Sequence, residues 1–195
     1  MEKMNYHHGA LKEEIIEKGL ILINKEGTKG FSLRKVAAMC GVSHTAPYKH
    51  FKNKEELMED ISTRVLRSFR ECLMQAVEMA KIENTGMIGI GKAYVKFMLE
   101  NKEYFRFIFF SEYKVNVKLK GDQFVYQAGN PFEVFCSSAT AYLENFMKDK
   151  KQINYTILTM WSIVHGIATL VIHETFEYDG DYEELVGKML YVEPR

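Results

Sequence analysis

The sequence has few cysteines and few prolines, and both shortages limit the kind of protein that it encodes. Its 195 residues include 3 cysteines, at positions 40, 72 and 136, and 3 prolines. An odd number of widely separated cysteines predicts neither a disulfide framework nor a zinc knuckle, and it is typical of a reducing cytoplasm. With only 13 glycines as well, the composition excludes long low-complexity linkers.

Segments that would direct the chain to a membrane are also missing from the pattern. The opening residues, MEKMNYHHGALKEE, contain no apolar core followed by a cleavage site, so no signal peptide is expected. The longest apolar run, residues 153–172, is interrupted by Asn154, Ser162, His165 and several threonines, which predicts that it does not span a membrane. We therefore expect a cytoplasmic protein with no membrane partner.

Neither sign of charge is in excess over the whole chain, yet the charges are unevenly distributed. Lys and Arg together number 26, as do Asp and Glu. Residues 27–54, here called the basic segment, contain two histidines and no acidic residue. Such a segment is often only a solvated surface, but it also predicts a local site for anions. Its basic residues are Lys29, Arg34, Lys35, Lys49, Lys52 and Lys54.

Short helices separated by glycine are predicted within the basic segment. A helix over residues 10–25 leads into it and ends before Gly27. Ser32 is a good N-cap for a second helix, which has apolar residues at positions 33, 36, 37 and 40 and ends at Gly41. Ser43 is placed to cap a third helix, residues 44–51, with Pro47 in or just past its first turn. Asn53 is placed to cap a long fourth helix over residues 54–80.

The second and third helices have the layout of a helix-turn-helix. In the third, Val42, Pro47 and Phe51 suit inward packing, and a second set of side chains spaced four residues apart faces the other way. His and Lys suit phosphates or guanine, Thr suits a base edge, and Tyr suits a phosphate. The outward set is His44, Thr45, Tyr48 and Lys49, and the start of the fourth helix adds N–H groups beside Lys52 and Lys54.

The run FSLRKVAAMCGVSHTAPYKHFKNKEELMEDI resembles the DNA-binding segment of TetR-type transcriptional regulators. The likeness is close over residues 31–57, and Pro47 stands where that family more often has leucine. The resemblance implies an all-α protein with an N-terminal three-helix DNA-binding domain, residues 1–54, and a larger helical domain for ligand binding and dimerisation, residues 55–195. The DNA contacts that it implies are Arg34, Ser43, His44, Thr45, Ala46, Tyr48 and Lys49, with phosphate contacts at His50 and Lys54.

The remainder of the chain is predicted to be helical over about 87–100, 102–113, 131–149, 153–176 and 181–191, with a loop over 114–130. Nearly half of the aromatic residues lie between positions 94 and 135. They predict either a packed core with a dimer contact or an apolar ligand cavity. The candidate lining residues for a cavity are Tyr94, Phe97, Met98, Phe105, Phe109, Trp161 and His165.

The segment WSIVHGIA resembles the Trp–x–x–x–His–Gly signature of one subgroup of TetR-type C-terminal domains. The family resemblance implies a homodimer in which the last two helices of each subunit form a four-helix interface. Gly166 would allow a second helix to approach closely. The expected partners are therefore a palindromic DNA operator, a second copy of the chain and a small apolar or aromatic effector.

Catalytic and metal-binding patterns are not found in the sequence. Its histidines lack metal-ligand spacing, and no nucleophile elbow, phosphate loop or dinucleotide glycine pattern occurs. We therefore expect no enzyme, no metal and no cofactor. The favoured function is that of a ligand-responsive transcriptional regulator, with repression as the family's usual outcome. An effector-independent DNA-binding regulator and a helical enzyme are the alternatives.

Overall fold

The computed structural model describes residues 3–191, with side chains from residue 10 onward. Across these residues the chain forms eight α-helices, one 3₁₀ helix and one two-stranded hairpin, which confirms the predicted all-α class. The helices are α1 (Lys3–Gly30), α2 (Leu33–Met39), the 3₁₀ helix (Ala46–Lys49), α3 (Lys54–Glu83), α4 (Gly86–Glu100), α5 (Lys102–Phe110), α6 (Pro131–Leu143), α7 (Lys150–Ile172) and α8 (Tyr182–Leu190), with strands β1 (Val117–Lys120) and β2 (Gln123–Tyr126) between α5 and α6.

Packing divides the chain into two compact units. The N-terminal unit contains the chain up to Val65 together with Lys102–Lys114, and the C-terminal unit contains Leu66–Asn101 and the chain from Val115 onward. The division falls within α3 and assigns α5 to the N-terminal unit. The boundary expected between residues 54 and 55 divides a DNA-binding part from a ligand-binding part, not one packing unit from another. It stays a prediction.

The helix caps predicted at Ser32, Gly41 and Asn53 are confirmed, whereas the cap predicted at Ser43 is wrong, because Thr45 occupies the N-cap position of the 3₁₀ helix and makes no side-chain capping hydrogen bond. The Ser32 hydroxyl accepts a hydrogen bond from the Lys35 N–H at 3.2 Å, and the Asn53 side chain accepts one from the Glu56 N–H at 2.9 Å. Gly41 has φ 67°, and the N–H groups of Gly41 and Val42 donate back to Ala38 and Ala37. These two bonds close α2 with a left-handed residue, so the glycine is required by its backbone conformation.

The predicted break of the first helix at Gly27 is confirmed, because non-helical backbone at this residue divides α1 into two helical stretches, and the second stretch ends at Gly30. Gly27 has φ 67° and ψ −178°, which is a backbone conformation that other residues rarely adopt. A Cβ atom at this position would lie 2.8 Å from the Glu103 carboxylate of α5, in the same unit. The predicted break is therefore a kink between the two helical stretches.

The predicted loop over residues 114–130 contains the hairpin of β1 and β2. Leu119 pairs with Phe124 and Val117 pairs with Tyr126, so these four side chains share one face. The rings of Phe124 and Tyr126 lie 4.9 and 5.7 Å from the ring of Phe132 in α6. These ring contacts attach the hairpin to α6 of the C-terminal unit.

Helix α7 is the one helix among residues 3–191 that is long and apolar enough, by length and composition, to cross a membrane. Core helices of globular proteins pass the same test of length and composition, so the prediction that this segment does not span a membrane stays a prediction. One side of α7 is buried in the C-terminal unit, as in a core helix. Over the most apolar 18-residue stretch of the helix, however, only a third of the residues are buried. Its opposite side exposes Tyr155, Leu158 and Leu170.

Candidate nucleic-acid interface

The segment after Gly41 is shorter and more tightly wound than predicted. In place of a two-turn helix over residues 44–51, the chain forms a 3₁₀ helix over Ala46–Lys49. The N–H groups of Ala46, Tyr48 and His50 each donate to a carbonyl three residues back. Pro47 has no N–H to donate to Ser43, and its ring would crowd the carbonyl four residues before it, so the α-helical pattern is blocked here.

The predicted two-faced character of this segment is present despite the change of helix type. Pro47 and Phe51 are buried, and Tyr48 keeps 57% of its surface exposed. The Ser43 and Thr45 hydroxyls lie 3.1 Å apart, which holds the two side chains close together on the surface. Of the remaining sequence candidates, Arg34, His44 and Lys49 are exposed, whereas Ala46, His50 and Lys54 are half-buried.

The lysines of the basic segment are not equally available to a ligand. The Nζ of Lys35 lies 2.6 Å from the Glu26 carboxylate and 3.0 Å from the Gly30 carbonyl, so this charge is already engaged. The Nζ of Lys54 lies 5.7 Å from the centre of the Phe31 ring, a position that orients the ammonium group. Lys49 and Lys52 are exposed.

The start of α3 is less open to phosphate than the sequence indicates. The Glu56 N–H donates to Asn53, and the Glu56 carboxylate accepts the Lys52 N–H at 2.6 Å. This reciprocal arrangement is similar to a capping box, except that the Glu56 carboxylate accepts from the residue before the cap. It occupies one N–H group of the helix start and adds a negative charge. Capping by Asn53 and the negative charge of Glu56 therefore make this helix terminus less favourable for an anion than the sequence indicates.

The candidate ligand-cavity residues are distributed over both units. Phe105 and Phe109 lie in the N-terminal unit, with their ring centres 5.1 Å apart. In the C-terminal unit the rings of Tyr94 and Trp161 are in edge contact at 5.1 Å. The other candidates of that unit are Met98, which is fully buried, Phe97 on α4 and His165 on α7.

Trp161 lies at the centre of what we call the aromatic cluster, which consists of Tyr94, Phe132, Phe135 and Trp161. The rings of Tyr94, Phe132 and Phe135 approach the Trp161 ring edge-on at 5.0–5.1 Å. Tyr94, Phe132 and Phe135 are buried. Ring contacts of this kind are typical of a filled core.

Tyr94 and His165 form a polar contact beside the aromatic cluster. The Tyr94 hydroxyl lies 2.9 Å from Nδ1 of His165. Burial raises the pKa of Tyr94 well above 10.0 and lowers the pKa of His165 below 6.5. Both groups are therefore neutral at pH 7, and the imidazole tautomer decides which of the two donates the hydrogen bond.

The buried imidazole predicts a pH dependence of folding. The pKa of His165 is lower in the folded than in the unfolded chain. The contribution of the His165 imidazole to the free energy of unfolding is therefore complete above about pH 6.5. That contribution declines as the pH falls through the folded-state pKa. We expect His165→Gln to flatten the pH dependence of urea unfolding between pH 7 and 5. Equal curves for wild type and His165→Gln would contradict this interpretation.

Among the described residues no group of three or more His, Cys, Asp or Glu side chains is arranged to hold a metal ion. One feature of this part of the chain was not found from sequence. A cleft of about 730 Å³ lies in the C-terminal unit near Lys81, Thr85 and Tyr142. None of the seven predicted cavity residues lines this cleft. The sequence marks its wall only through Asn84, Thr85 and Gly86, residue types that are typical of the turn between α3 and α4.

Comparison with known families gives two matches that together cover most of the chain. Residues 15–61 match the model for bacterial regulatory proteins of the tetR family. Residues 87–192 match the model for the tetracyclin repressor-like C-terminal domain. The first match contains α2, the 3₁₀ helix and the start of α3, which carry the candidate interface.

Individual proteins give the same fold at low identity. The chain is 22% identical over 176 residues to YobS of Bacillus subtilis (strain 168), described as an uncharacterized HTH-type transcriptional regulator, with 90% of this chain and 86% of the relative covered. A structure of a protein with unknown function from Rhodococcus sp. RHA1 is similar with TM-score 0.71 and 23% identity, covering 95% of this chain and 93% of that one. FadR from Bacillus subtilis, in complex with stearoyl-CoA, is similar with TM-score 0.59 and 14% identity, covering 91% and 95%.

Proposed function

The chain belongs to the TetR family of bacterial regulatory proteins, which are DNA-binding transcriptional regulators and not enzymes. On this premise we propose that it is a homodimeric, cytoplasmic repressor. A small apolar or aromatic effector releases this repressor from a palindromic operator. The observation that carries the proposal is the exposed face of the 3₁₀ helix. Tyr48 and Lys49 are exposed there while Pro47 and Phe51 are buried, within a segment that contains no acidic residue.

Residues 1–54 are assigned to DNA binding and residues 55–195 to dimerisation and sensing. The proposed base-reading and groove contacts are Arg34, Ser43, His44, Thr45, Ala46 and Lys49, and the proposed phosphate contacts are Tyr48, His50 and Lys54. Exposure of the hydroxyl pair Ser43 and Thr45 supports the first group. The partly oriented ammonium group of Lys54 supports the second, because phosphate contacts fix the register of the protein on the duplex.

Removing the proposed phosphate contact should weaken binding to every DNA sequence alike. We expect Lys54→Ala to lower affinity for operator and random DNA by similar factors, and to reduce the slope of log K against log salt by about 1. Fluorescence anisotropy with a labelled duplex across a salt series measures both quantities. Lys114→Ala removes an exposed lysine outside the basic segment and serves as the control. An unchanged salt slope in Lys54→Ala would contradict the phosphate role.

Thr45 should affect sequence preference instead. We expect Thr45→Ala to change the sequences recovered in a random-site selection, with discrimination at the affected base pair reduced by about 1–3 kcal/mol. The salt slope should stay at the wild-type value because no phosphate contact is lost. If Thr45→Ala recovers the wild-type consensus sequence, Thr45 is not one of the base-reading residues.

The outer face of α7 is proposed as the main part of the dimer interface. Tyr155, Leu158 and Leu170 are exposed on it, and a Cβ atom built on Gly166 meets nothing within 4 Å. An apolar helix face with an open glycine near its centre fits the close approach of a partner helix. The Trp161–x–x–x–His165–Gly166 sequence supports assignment to the Trp–x–x–x–His–Gly subgroup of the family. A dimer also suits the operator, because two recognition elements must enter successive major grooves about 34–36 Å apart.

An effector would act by favouring one separation of the two DNA-binding heads over another. A coupling free energy of about 1–3 kcal/mol would change operator affinity roughly 5–150-fold. The solved complex of FadR with stearoyl-CoA supports the presence of an effector site in this fold. Of the candidate residues, Tyr94, Phe97, Met98, Trp161 and His165 belong to the C-terminal unit, and Phe105 and Phe109 belong to the N-terminal unit.

The second candidate function is an effector-independent regulator. It is favoured by the edge contacts around Trp161, which leave these rings packed against one another. A screen of apolar and aromatic compounds for release of bound operator separates the two functions. Release by at least one compound supports the sensor, and release by none, with DNA binding intact, supports the second candidate.

A further inference from the structure

A cleft in the C-terminal unit lies away from the aromatic cluster. It opens where the last turns of α3, the first turn of α4, the middle of α6 and the end of α8 meet, and its volume is about 730 Å³. Sites for small organic ligands generally enclose about 300–1,000 Å³. The cleft therefore has room for a ligand without any rearrangement of the core.

The floor of the cleft is apolar. Met87 and Ile90 of α4 and Leu190 of α8 line it, and each is 3% exposed. Val77 and Ala80 of α3 continue the same surface. Aliphatic walls with few polar groups suit the hydrocarbon or ring portion of a ligand, because contact with them removes apolar surface from water.

One rim of the cleft carries positive charge. Lys81 is the sole charged side chain among the described residues that line it. Its Nζ lies 2.7 Å from the Glu78 carboxylate, with both side chains more than 60% exposed. An exposed pair one turn apart on a helix is weak, so an anionic ligand in the cleft can replace Glu78 as the partner of Lys81.

The start of α4 adds a second positive feature to the cleft wall. Asn84 and Gly86 both have φ 54°, and Thr85 occupies the N-cap position without making a side-chain capping hydrogen bond. The first N–H groups of a helix have no intrahelical acceptors, and the helix dipole makes this end positive. A Cβ atom at Gly86 would lie 3.3 Å from the Tyr142 ring, so the glycine also keeps the cleft wall open.

We propose that this cleft binds an amphipathic organic anion, with its apolar part on the floor formed by α3, α4 and α8 and its anionic group between Lys81 and the start of α4. The role of such a ligand as the effector rests on the proposed regulatory function. The binding site itself does not, because it lies within one unit and can be assayed in the absence of DNA.

The experiment uses equilibrium dialysis of the full-length protein with decanoate and with decan-1-ol, which shares its alkyl chain but lacks its charge. Ala141→Trp fills the cleft from an exposed position on α6, and Ala128→Trp places the same side chain at an exposed position outside it. We expect Ala141→Trp to weaken binding of both compounds by about 10-fold or more, and Ala128→Trp to change it by less than about 2-fold.

Lys81→Met tests the class of ligand, with Lys148→Met as the control outside the cleft. We expect Lys81→Met to weaken decanoate binding by about 3–10-fold and to leave decan-1-ol binding within about 2-fold. Absence of saturable decanoate binding, or equal affinity for wild type and Ala141→Trp, overturns the site. Equal effects of Lys81→Met on the two compounds overturn its preference for anions. Failure of operator binding in a separate anisotropy assay would count against the regulatory function while leaving these results in force.

Discussion

Arginine in place of Gly166 is expected to convert the dimer into monomers and to abolish tight operator binding. Gly166 lies near the centre of the exposed apolar face of α7, between Leu158 and Leu170. A long charged side chain there would hold two helices apart and would leave a charge buried in an apolar contact. Substitutions at the centre of an interface typically cost about 2–4 kcal/mol. The dimer dissociation constant should therefore rise roughly 30–1,000-fold.

The loss of operator affinity follows because a monomer carries one recognition element, whereas a dimer joins two. Binding of the second half-site by a linked partner typically raises affinity by about 10²–10⁴-fold. We therefore expect Gly166→Arg to lose most of this gain for a palindrome while a single half-site is bound as before. Sedimentation equilibrium and anisotropy with full and half operators measure the two effects.

Folding of the Gly166→Arg monomer should not be impaired, which keeps the test interpretable. A Cβ atom at this position contacts nothing within 4 Å, and replacement of a mid-helix glycine improves helix propensity by roughly 0.5–1 kcal/mol. Ala128→Arg introduces the same charge at an exposed position between β2 and α6, and it should remain dimeric. A Gly166→Arg protein that stays dimeric would rule out the outer face of α7 as the interface.

Truncation of Phe135 to alanine should have the largest effect on folding. Phe135 is fully buried, and its ring lies 5.1 Å from the Trp161 ring. Loss of a buried phenylalanine typically lowers the free energy of unfolding by about 3–5 kcal/mol, because apolar contacts are lost and a cavity is left. Urea unfolding followed by fluorescence of Trp161, the one tryptophan of the chain, measures the change.

Phe146→Ala is the matched control, since its side chain is 57% exposed. We expect this change to alter the free energy of unfolding by less than about 1 kcal/mol. The comparison also separates the two interpretations of the aromatic cluster. A packed core requires the large loss at Phe135, whereas a small loss there, with new binding of an aromatic compound, would favour a loosely filled ligand cavity.

Local signals predicted the DNA-binding segment well because its structure depends on local chemistry. Ser32, Gly41 and Asn53 act within a few residues of themselves, through caps and a left-handed turn, so their effects can be deduced from spacing. Pro47 was recognised but its consequence was underestimated. It removes one α-helical hydrogen bond from a segment of only two turns, which leaves too few to sustain the α-helix.

Features that depend on contacts between distant parts of the chain were not predictable in the same way. Lys35 pairs with Glu26 of another helix, and the Tyr94 hydroxyl bonds to His165, which is 71 residues away. The cleft near Lys81 is formed by four helices, and no single stretch of sequence describes it. Aromatic composition indicated a core or a cavity, but only the positions of the rings distinguish a filled cluster from an open space.

The tight winding at Pro47 has a consequence for how specificity would diverge among related proteins. In a 3₁₀ helix, side chains three residues apart eclipse one another, whereas an α-helix aligns those separated by four more nearly. Ala46 and Lys49, at the two ends of the 3₁₀ helix, would then address the same step of the duplex, and Thr45 and Lys49 would not. Changes of operator preference should accordingly be accompanied by paired substitutions at 46 and 49. In a homologue with leucine at 47, an α-helix would instead pair positions 45 and 49.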